Sequence, residues 1–319
     1  AIAAMAGGAA LLGGRREIAD AAVRWRGSAL GAQVSIEIYH PDRAKGERLV
    51  HRCVDDVRRL ERQFSLYDPD SAIRALNRSG VLAAPDADMV ALLNAALDFA
   101  ALTDGAFDPT VQPLWDLYAA HFTQAHPAPE GPAAALLADA LSKVGYRHLK
   151  VSPDRIALLK PGSAITLNGI AQGYATDRVT ETLRAAGLTT TLVDMGEIRA
   201  SGTKPDGAPW QVGLADPDQP GLVTETIGLV DRAVATTAGA GFRFDSAGRF
   251  THLFDPGTGR SPSRYRSVSV IAPTATEADA LSTAFSLLSA PRIGEIVAAR
   301  RNIQVHLTDA SGQLHTYGA

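Results

Sequence analysis

In the stretch EADALSTAFSLL, residues 277–288, Asp279 and Thr283 stand one helical turn apart beside an apolar stripe of Leu281, Phe285 and Leu288. A carboxylate four residues before a hydroxyl can do either of two things. Thr276 followed three residues later by Asp279 fits the pattern in which side chains satisfy orphan N–H groups at a helix start. Alternatively, Asp279, Ser282 and Thr283 offer oxygens to a hard cation such as Mg2+, which takes oxygen ligands in tight octahedral geometry. From the helix alone, capping is the preferred reading.

Four further clusters have chemical content. In TDGAFDPTVQPLWDLY, residues 103–118, Asp104-Gly105 and Asp108-Pro109 read as turns at a helix exit. Phe107 between two acidic residues, with Pro113 and Trp115 following, also suits a partly apolar pocket with a few polar handles. ITLNGIAQGYATD, residues 165–177, reads as a strand, a turn at Gly169 and Gly173, and a helix from about Gln172. N–H groups at such a helix start can hold a phosphate, although the spacing is not that of a P-loop. LVDMGEIRASG, residues 192–202, is a strand running into a glycine turn, equally readable as a hairpin corner. THLFDPGTGRSP, residues 251–262, sets His252 three residues before Asp255-Pro256. Imidazole titrates near neutrality and is the commonest general base, but a lone loop histidine is more often merely exposed. Taken together, these are the parts that phosphoryl transfer from a nucleotide needs.

The elements that must position these residues follow from periodicity. Residues 33–39 alternate as a half-buried strand, and residues 42–64 carry a helical stripe of Leu49, Cys53, Val57, Leu60 and Phe64. A second helix is expected from about Asp86 to Leu102. The Pro- and Ala-rich stretch 121–135 reads as a surface loop or insertion leading into a short helix. Short strands are expected near 148–151, 155–159, 164–167, 190–194, 210–214, 224–230, 233–237 and 267–272, and helices near 172–186 and 276–299. Hairpin-like strands with segregated helices argue for an α+β fold rather than a doubly wound parallel sheet.

Composition narrows the function further. The chain has 319 residues, 46% hydrophobic and 20% charged, enough for a large core. A net charge of −3 with no Lys/Arg block lacks the electrostatic footprint of nucleic-acid binding. The single cysteine, Cys53, can form neither an intramolecular disulfide nor a thiolate zinc site, and its stripe position makes it a core residue. AIAAMAGGAALLGG at the start is too short to span a bilayer and resembles the apolar region of an export signal. Residues 1–16 are therefore read as an export remnant, implying a periplasmic protein. No other run approaches the length of a membrane span. Residues 17–319 are expected to form one functional domain of two lobes.

Taken in order, these motifs resemble the ApbE family of flavin transferases. The resemblance runs from about residue 29 to residue 309 and is carried by FSLYDPDSAIRALN (64–77), TDGAFDPTVQPL (103–114), LNGIAQGYATD (167–177), HLFDPGTG (252–259) and EADALSTA (277–284). It implies an ApbE-like α+β fold, mostly antiparallel, with a flavin-nucleotide cleft. The implied activity is Mg2+-dependent cleavage of FAD and attachment of FMN to a Ser or Thr of an acceptor protein, with release of AMP. By position, it implies Asp279, Thr283 and Ser282 as metal ligands with the carbonyl of Gly169, and His252 as the base. Leu30, Tyr67, Ala106, Phe107, Asp108, Thr166, Gln172 and Leu253 fall on cofactor-binding positions.

The sequence also departs from the family pattern. Leu30, Gly31 and Ala32 stand where the family usually reads Met-Gly-Thr. Thr166 and Gln172 stand for a common Asp and Lys, and Gly196-Glu197 shortens the usual Gly-Gly-Asp. Losing a lysine beside a diphosphate removes charge compensation. These departures suggest a specialised branch such as NosX, serving membrane-bound, periplasm-facing electron-transfer proteins such as ion-pumping quinone reductases or a flavoprotein of nitrous oxide respiration. FAD pyrophosphatase, with water as acceptor, and a non-catalytic flavin carrier are the alternative expectations.

Overall fold

A computed structural model describes residues 22–216, 219 and 221–318. The export segment expected over residues 1–16 lies outside the described residues. The alternation at 33–39 is β2 (Ala32–Tyr39), paired antiparallel with β1 (Ala22–Ala29) from Ala22↔Tyr39 to Ala29↔Ala32. Leu30 and Gly31 join them with φ of 51° and 77°. A two-residue turn that follows the strand twist needs positive φ at both positions, which is costly for a leucine. α1 (Arg43–Phe64) is capped by Asp42, whose carboxylate accepts from Lys45 N. It buries Val50, Cys53, Val57, Leu60 and Phe64, and burial pushes the Cys53 thiol up to about 12, which leaves it unreactive.

The central sheet has eight strands in the order β1-β2-β6-β7-β10-β11-β12-β13, every pair antiparallel. Its later members are β6 (Thr191–Asp194), β7 (Ile198–Ser201), β10 (Ala233–Ala238), β11 (Tyr265–Ala272), β12 (Gln304–Asp309) and β13 (Leu314–Tyr317). Side chains alternate across the sheet. Ala235, Val268, Val270 and Ala272 enter the main core beneath the helices. Ile198, Ala200, Val234 and Ile271 face the other way, against the hairpin of β8 (Trp210–Ala215) and β9 (Val223–Leu229). A small sheet of β3 (Val81–Ala83), β5 (Arg155–Leu158) and β4 (Leu149–Val151) lies apart. The fold is α+β, as the sequence leads one to expect.

Several elements differ from the periodicity reading. The helix expected over 276–299 is two, α7 (Ala275–Phe285) and α8 (Ala290–Ala299), because Pro291 sits in the first turn of α8, where its missing N–H costs nothing. The strand expected at 164–167 is irregular. Asn77 replaces a strand partner there, donating from Nδ2 to Ile165 O at 2.8 Å and accepting from Ile165 N at 2.7 Å. Strands β1, β3, β7, β12 and β13 and helices α2 (Ala72–Ser79) and α4 (Gln112–Phe122) are hidden by short or mixed patterns. The remaining helices, α3 (Ala87–Leu102), α5 (Ala134–Ser142) and α6 (Ala171–Ala185), fall near their expected places. Around α4 and α5 an aromatic cluster of Trp115, Tyr118, Phe244, Phe250 and Phe254 forms a separate core. No helix of the described residues is long and apolar enough to cross a membrane.

Candidate active site

The site begins where the first turns of α6 and α7 meet. Gly173 allows the contact: a Cβ there would lie 2.3 Å from Ala275 O and 2.8 Å from Asp279 Cβ. At this junction each helix receives a carboxylate from the other. Asp177 of α6 accepts from Ala275 N (2.8 Å), Thr276 N (2.9 Å) and Thr276 Oγ1 (2.6 Å), and pairs with buried Arg199 at 2.5 Å. Asp279 of α7 accepts from Gly173 N at 2.9 Å. Asp279 therefore does not cap its own helix. Thr274 does, accepting from Glu277 N.

Gly173 is the third residue of α6, so its N–H is one of the orphan donors of the helix start, and Asp279 Oδ2 satisfies it. Just before the helix, Gly169 O accepts no backbone hydrogen bond from the described residues. Asp279 Oδ1 and Thr283 Oγ1 also have no hydrogen-bond partner among the described residues. Thr283 Oγ1 lies 2.9 Å from where a Cβ on Gly169 would stand, so glycine is needed for the approach. Ser282 is placed differently: its hydroxyl meets Thr237 Oγ1 at 2.7 Å and donates to Asp279 O at 3.0 Å. It braces the helix against β10 rather than facing the open oxygens.

Three carboxyl groups near this point are held above the usual carboxylate range. Burial, partly offset by the Gly173 N–H, pushes Asp279 up to about 7. Glu197 is raised well above the usual carboxylate range by burial first, then by Asp279 and Asp194. Asp194, raised to about 6 by burial, caps the β6–β7 turn by accepting from Gly196 N at 3.0 Å. The motif 192–202 is thus a hairpin corner that also brings carboxylates toward Asp279. Among the described residues no group of three His, Cys, Asp or Glu side chains forms a metal site. What the junction offers is one carboxylate oxygen, one hydroxyl and one backbone carbonyl, an oxygen-only donor set of the kind Mg2+ takes.

The implied nucleotide-side residues divide into two groups. Phe107 is buried, 3.4 Å from the Gly169 Cβ position, and Leu253 is buried beneath Thr251. Tyr67 is 79% exposed and reaches within 3.9 Å of the Gly31 Cβ position, so an open aromatic face stands beside the β1–β2 turn. Others are engaged internally. Both Asp108 oxygens are occupied, Oδ1 by Thr110 N (2.8 Å) and Oγ1 (2.6 Å) and Oδ2 by Tyr146 N (2.9 Å), so its side chain holds the loop rather than a ligand. Ala106 N donates to Thr103 O within that loop, and Thr166 N ties it to the glycine turn through Pro109 O at 2.8 Å. Gln172 donates from Nε2 to Leu30 O at 3.2 Å and packs on Gly196, whose added Cβ would meet its Cδ at 2.6 Å. Together with Glu61, which accepts from Leu30 N at 3.0 Å, it pins the strained turn.

His252 lies beside the aromatic cluster. Its Nδ1 contacts Phe242 O at 3.3 Å. With Nδ1 as donor, the Nε2 lone pair is left to act as base. Burial lowers its pKa, against a smaller opposing effect from that carbonyl, so the ring is neutral at physiological pH. Sequence reasoning did not find Asp177, Arg199, Glu61 or Glu197 as participants. Asp177, Arg199 and Glu197 stand inside motifs already singled out, but their contacts join one motif to another across the chain.

The antiparallel α+β architecture and the ordered site place the chain within a known class of protein. The ApbE family model matches residues 30–307, and the chain belongs to the ApbE family. It is 31% identical over 258 residues to the FAD:protein FMN transferase of Haemophilus influenzae, covering 77% of this chain and 73% of that protein. With the FAD:protein FMN transferase of Treponema pallidum it shares 33% over 264 residues, covering 75% and 72%. Its fold is similar to the ApbE protein of Thermotoga maritima, with a TM-score of 0.81, 30% identity, and 93% and 97% of the two chains covered. The flavin transferase ApbE of Vibrio cholerae gives 0.80 at 26% identity, with the same coverage.

Proposed function

We propose that this protein is a Mg2+-dependent FAD:protein FMN transferase that esterifies a Ser or Thr of an exported acceptor protein with FMN and releases AMP. The observation that carries the reading is the set of oxygens without a partner among the described residues where α6 and α7 meet: Gly169 O accepts no backbone hydrogen bond, and Asp279 Oδ1 and Thr283 Oγ1, which approaches Gly169, have none. Neither Asp279 Oδ1 nor Thr283 Oγ1 is among the fully buried unpaired side-chain atoms, so both are accessible to a ligand. A bound cation would neutralise charge on the FAD diphosphate, the main demand of phosphoryl transfer.

The chain's own residues supply the rest. Asp279, Thr283 and Gly169 would hold the cation. Tyr67 and the Leu30–Gly31 turn present an aromatic and backbone surface for the nucleotide. Neutral His252 takes the proton of the acceptor hydroxyl at Nε2 as its oxygen bonds to the FMN phosphorus and the bond to the AMP phosphate breaks. The apolar start of the sequence supports a periplasmic acceptor. Incubation with FAD, Mg2+ and a candidate acceptor should yield both covalent flavin and AMP. AMP with free FMN and no adduct would instead mark a pyrophosphatase, and neither product would mark a carrier.

A further inference from the structure

Asn168 and Gly169 lie in the turn immediately before α6. The groups around them are hydrogen-bonded. Asn168 N donates to Thr166 Oγ1 at 3.2 Å, and Leu167 O accepts from Ile170 N at 3.0 Å and from Ala171 N at 2.8 Å. Two groups of the turn are not. Asn168 is exposed, and its side chain has no hydrogen bond with a described residue. Gly169 N likewise donates to none of the described residues. Neither group is among those assigned above to the cation, the nucleotide or proton transfer.

A side-chain amide followed by a free backbone N–H is a reactive pair. The asparagine amide carbon stands one methylene from its own Cα, so attack by the next residue's nitrogen closes a five-membered ring. Glycine in the next position has no Cβ to obstruct that approach. The reaction is blocked where the amide is hydrogen-bonded or the N–H is held in a helix or strand ladder, and this turn has neither restraint. Asparagine counts among the thermolabile residues. The neighbouring atoms make the position consequential. Gly169 is closely fitted, with Thr283 Oγ1 2.9 Å and Phe107 Cε2 3.4 Å from where a Cβ on it would stand. Its carbonyl is one of the oxygens read above as holding the cation.

We propose that Asn168 is a site of spontaneous deamidation and that its conversion to isoaspartate disables the cation site. Gly169 N, losing its proton to solvent, bonds to Asn168 Cγ; the Cγ–Nδ2 bond breaks and the amide leaves as ammonia. Water then opens the succinimide at either carbonyl. Opening at Cγ leaves aspartate at position 168, and opening at the backbone carbonyl leaves isoaspartate, whose main chain is one carbon longer. That carbon displaces Gly169 O from Asp279 and Thr283, and Mg2+ tolerates little departure from octahedral geometry. The loss of function rests on the cation reading above; the modification itself does not. The test ages the full chain and its Asn168→Gln variant without ligand, each compared with its own fresh sample. Peptide mass mapping should show the wild-type chain gaining the mass of an amide turned into an acid at residue 168, with isoaspartate there labelled by isoaspartyl methyltransferase. Glutamine, whose extra methylene makes the ring six-membered, should not convert. In calorimetry with FAD present, the wild-type chain should lose Mg2+-binding protein in proportion to its isoaspartate, with its denaturation midpoint unchanged. An unchanged mass at residue 168 would overturn the proposal. Equal Mg2+ binding by fresh and converted chains would overturn the disabling step, as would the same decline in the Asn168→Gln variant. A fresh wild-type chain that binds no Mg2+ yet converts at Asn168 would sink the cation reading and keep the modification.

Discussion

Asp177 and Asp279 are a matched pair with different roles. Each is buried, each sits on one of two touching helices, and each accepts an N–H from the first turn of the other. Asp177 is fully compensated, by two backbone N–H groups, a threonine hydroxyl and the Arg199 guanidinium. Asp279 has one hydrogen bond, an open oxygen, carboxylates for neighbours and a raised pKa. The first arrangement holds the helices together. The second leaves charge uncompensated, and an uncompensated buried carboxylate persists at a site that binds something. The difference teaches that burial and helix position do not mark a functional carboxylate; the unfilled part of its shell does.

The largest effect expected is on activity at Asp279. Asp279→Asn keeps an acceptor for Gly173 N but removes the charge, so Mg2+-dependent FAD cleavage should fall on the order of 10³-fold. Thermal stability should hold or rise, because a buried uncompensated charge is removed. Because the carboxyl is raised to about 7 and only its ionised form binds a cation, wild-type Mg2+ affinity should increase as pH rises through that value. Affinity independent of pH in calorimetry, or normal cleavage by the variant, would make Asp279 as structural as Asp177. At His252, replacement by Ala should slow FMN transfer about 10²-fold with FAD affinity retained. The base must be neutral, and its lowered pKa should carry wild-type transfer below the pH at which an ordinary histidine protonates. Rate profiles of transfer in single turnover check both statements.

Asp177→Ala should show the opposite balance. It strands Arg199, whose side chain is only 9% exposed and whose Nε already lacks a partner. Removing one partner of a buried pair costs about 3 to 5 kcal/mol, visible as a lower denaturation midpoint. At temperatures where the variant is folded, FAD cleavage should change far less than in Asp279→Asn. A variant as stable as the wild type but inactive would reverse the roles assigned to the two aspartates.

The sequence makes some of this legible. Local periodicity suffices for β2, α1 and α3, and the turn–helix pattern around Gly169 and Gly173 announces the site without its partners. The spacing of Asp279 and Thr283 favours capping when read alone, because the deciding contact, Gly173 N to Asp279, joins residues far apart in the chain. Ser282 looks equivalent to its neighbours in sequence, yet it meets Thr237 on a strand. Asp108 reads as a pocket residue until Tyr146 N is found on its second oxygen. A single expected helix over 276–299 hides the break that Pro291 introduces. Tertiary hydrogen bonds, not propensity, account for most of these differences.

The smallest effect is expected at Gln172, where the family commonly carries Lys. From sequence, Gln172→Lys should return a cation to the FAD phosphates and tighten binding through a charge-assisted contact. The structure reduces that expectation. Gln172 is packed against Gly196 and donates to Leu30 O, so a lysine following the same path delivers its ammonium toward that carbonyl. Asp194 stands two residues before Gly196 and Glu197 follows it, both carboxylates that would attract the same charge. FAD affinity should therefore improve by no more than about threefold, and salt should erase the gain. Gln172→Ala, which unties one side of the strained Leu30 turn, should weaken FAD binding instead. A tenfold gain for Gln172→Lys in flavin fluorescence titrations would mean that this side chain leaves Leu30 and reaches the nucleotide, returning Gln172 from the fold-holding group, where Asp177 belongs, to the ligand-holding group with Asp279.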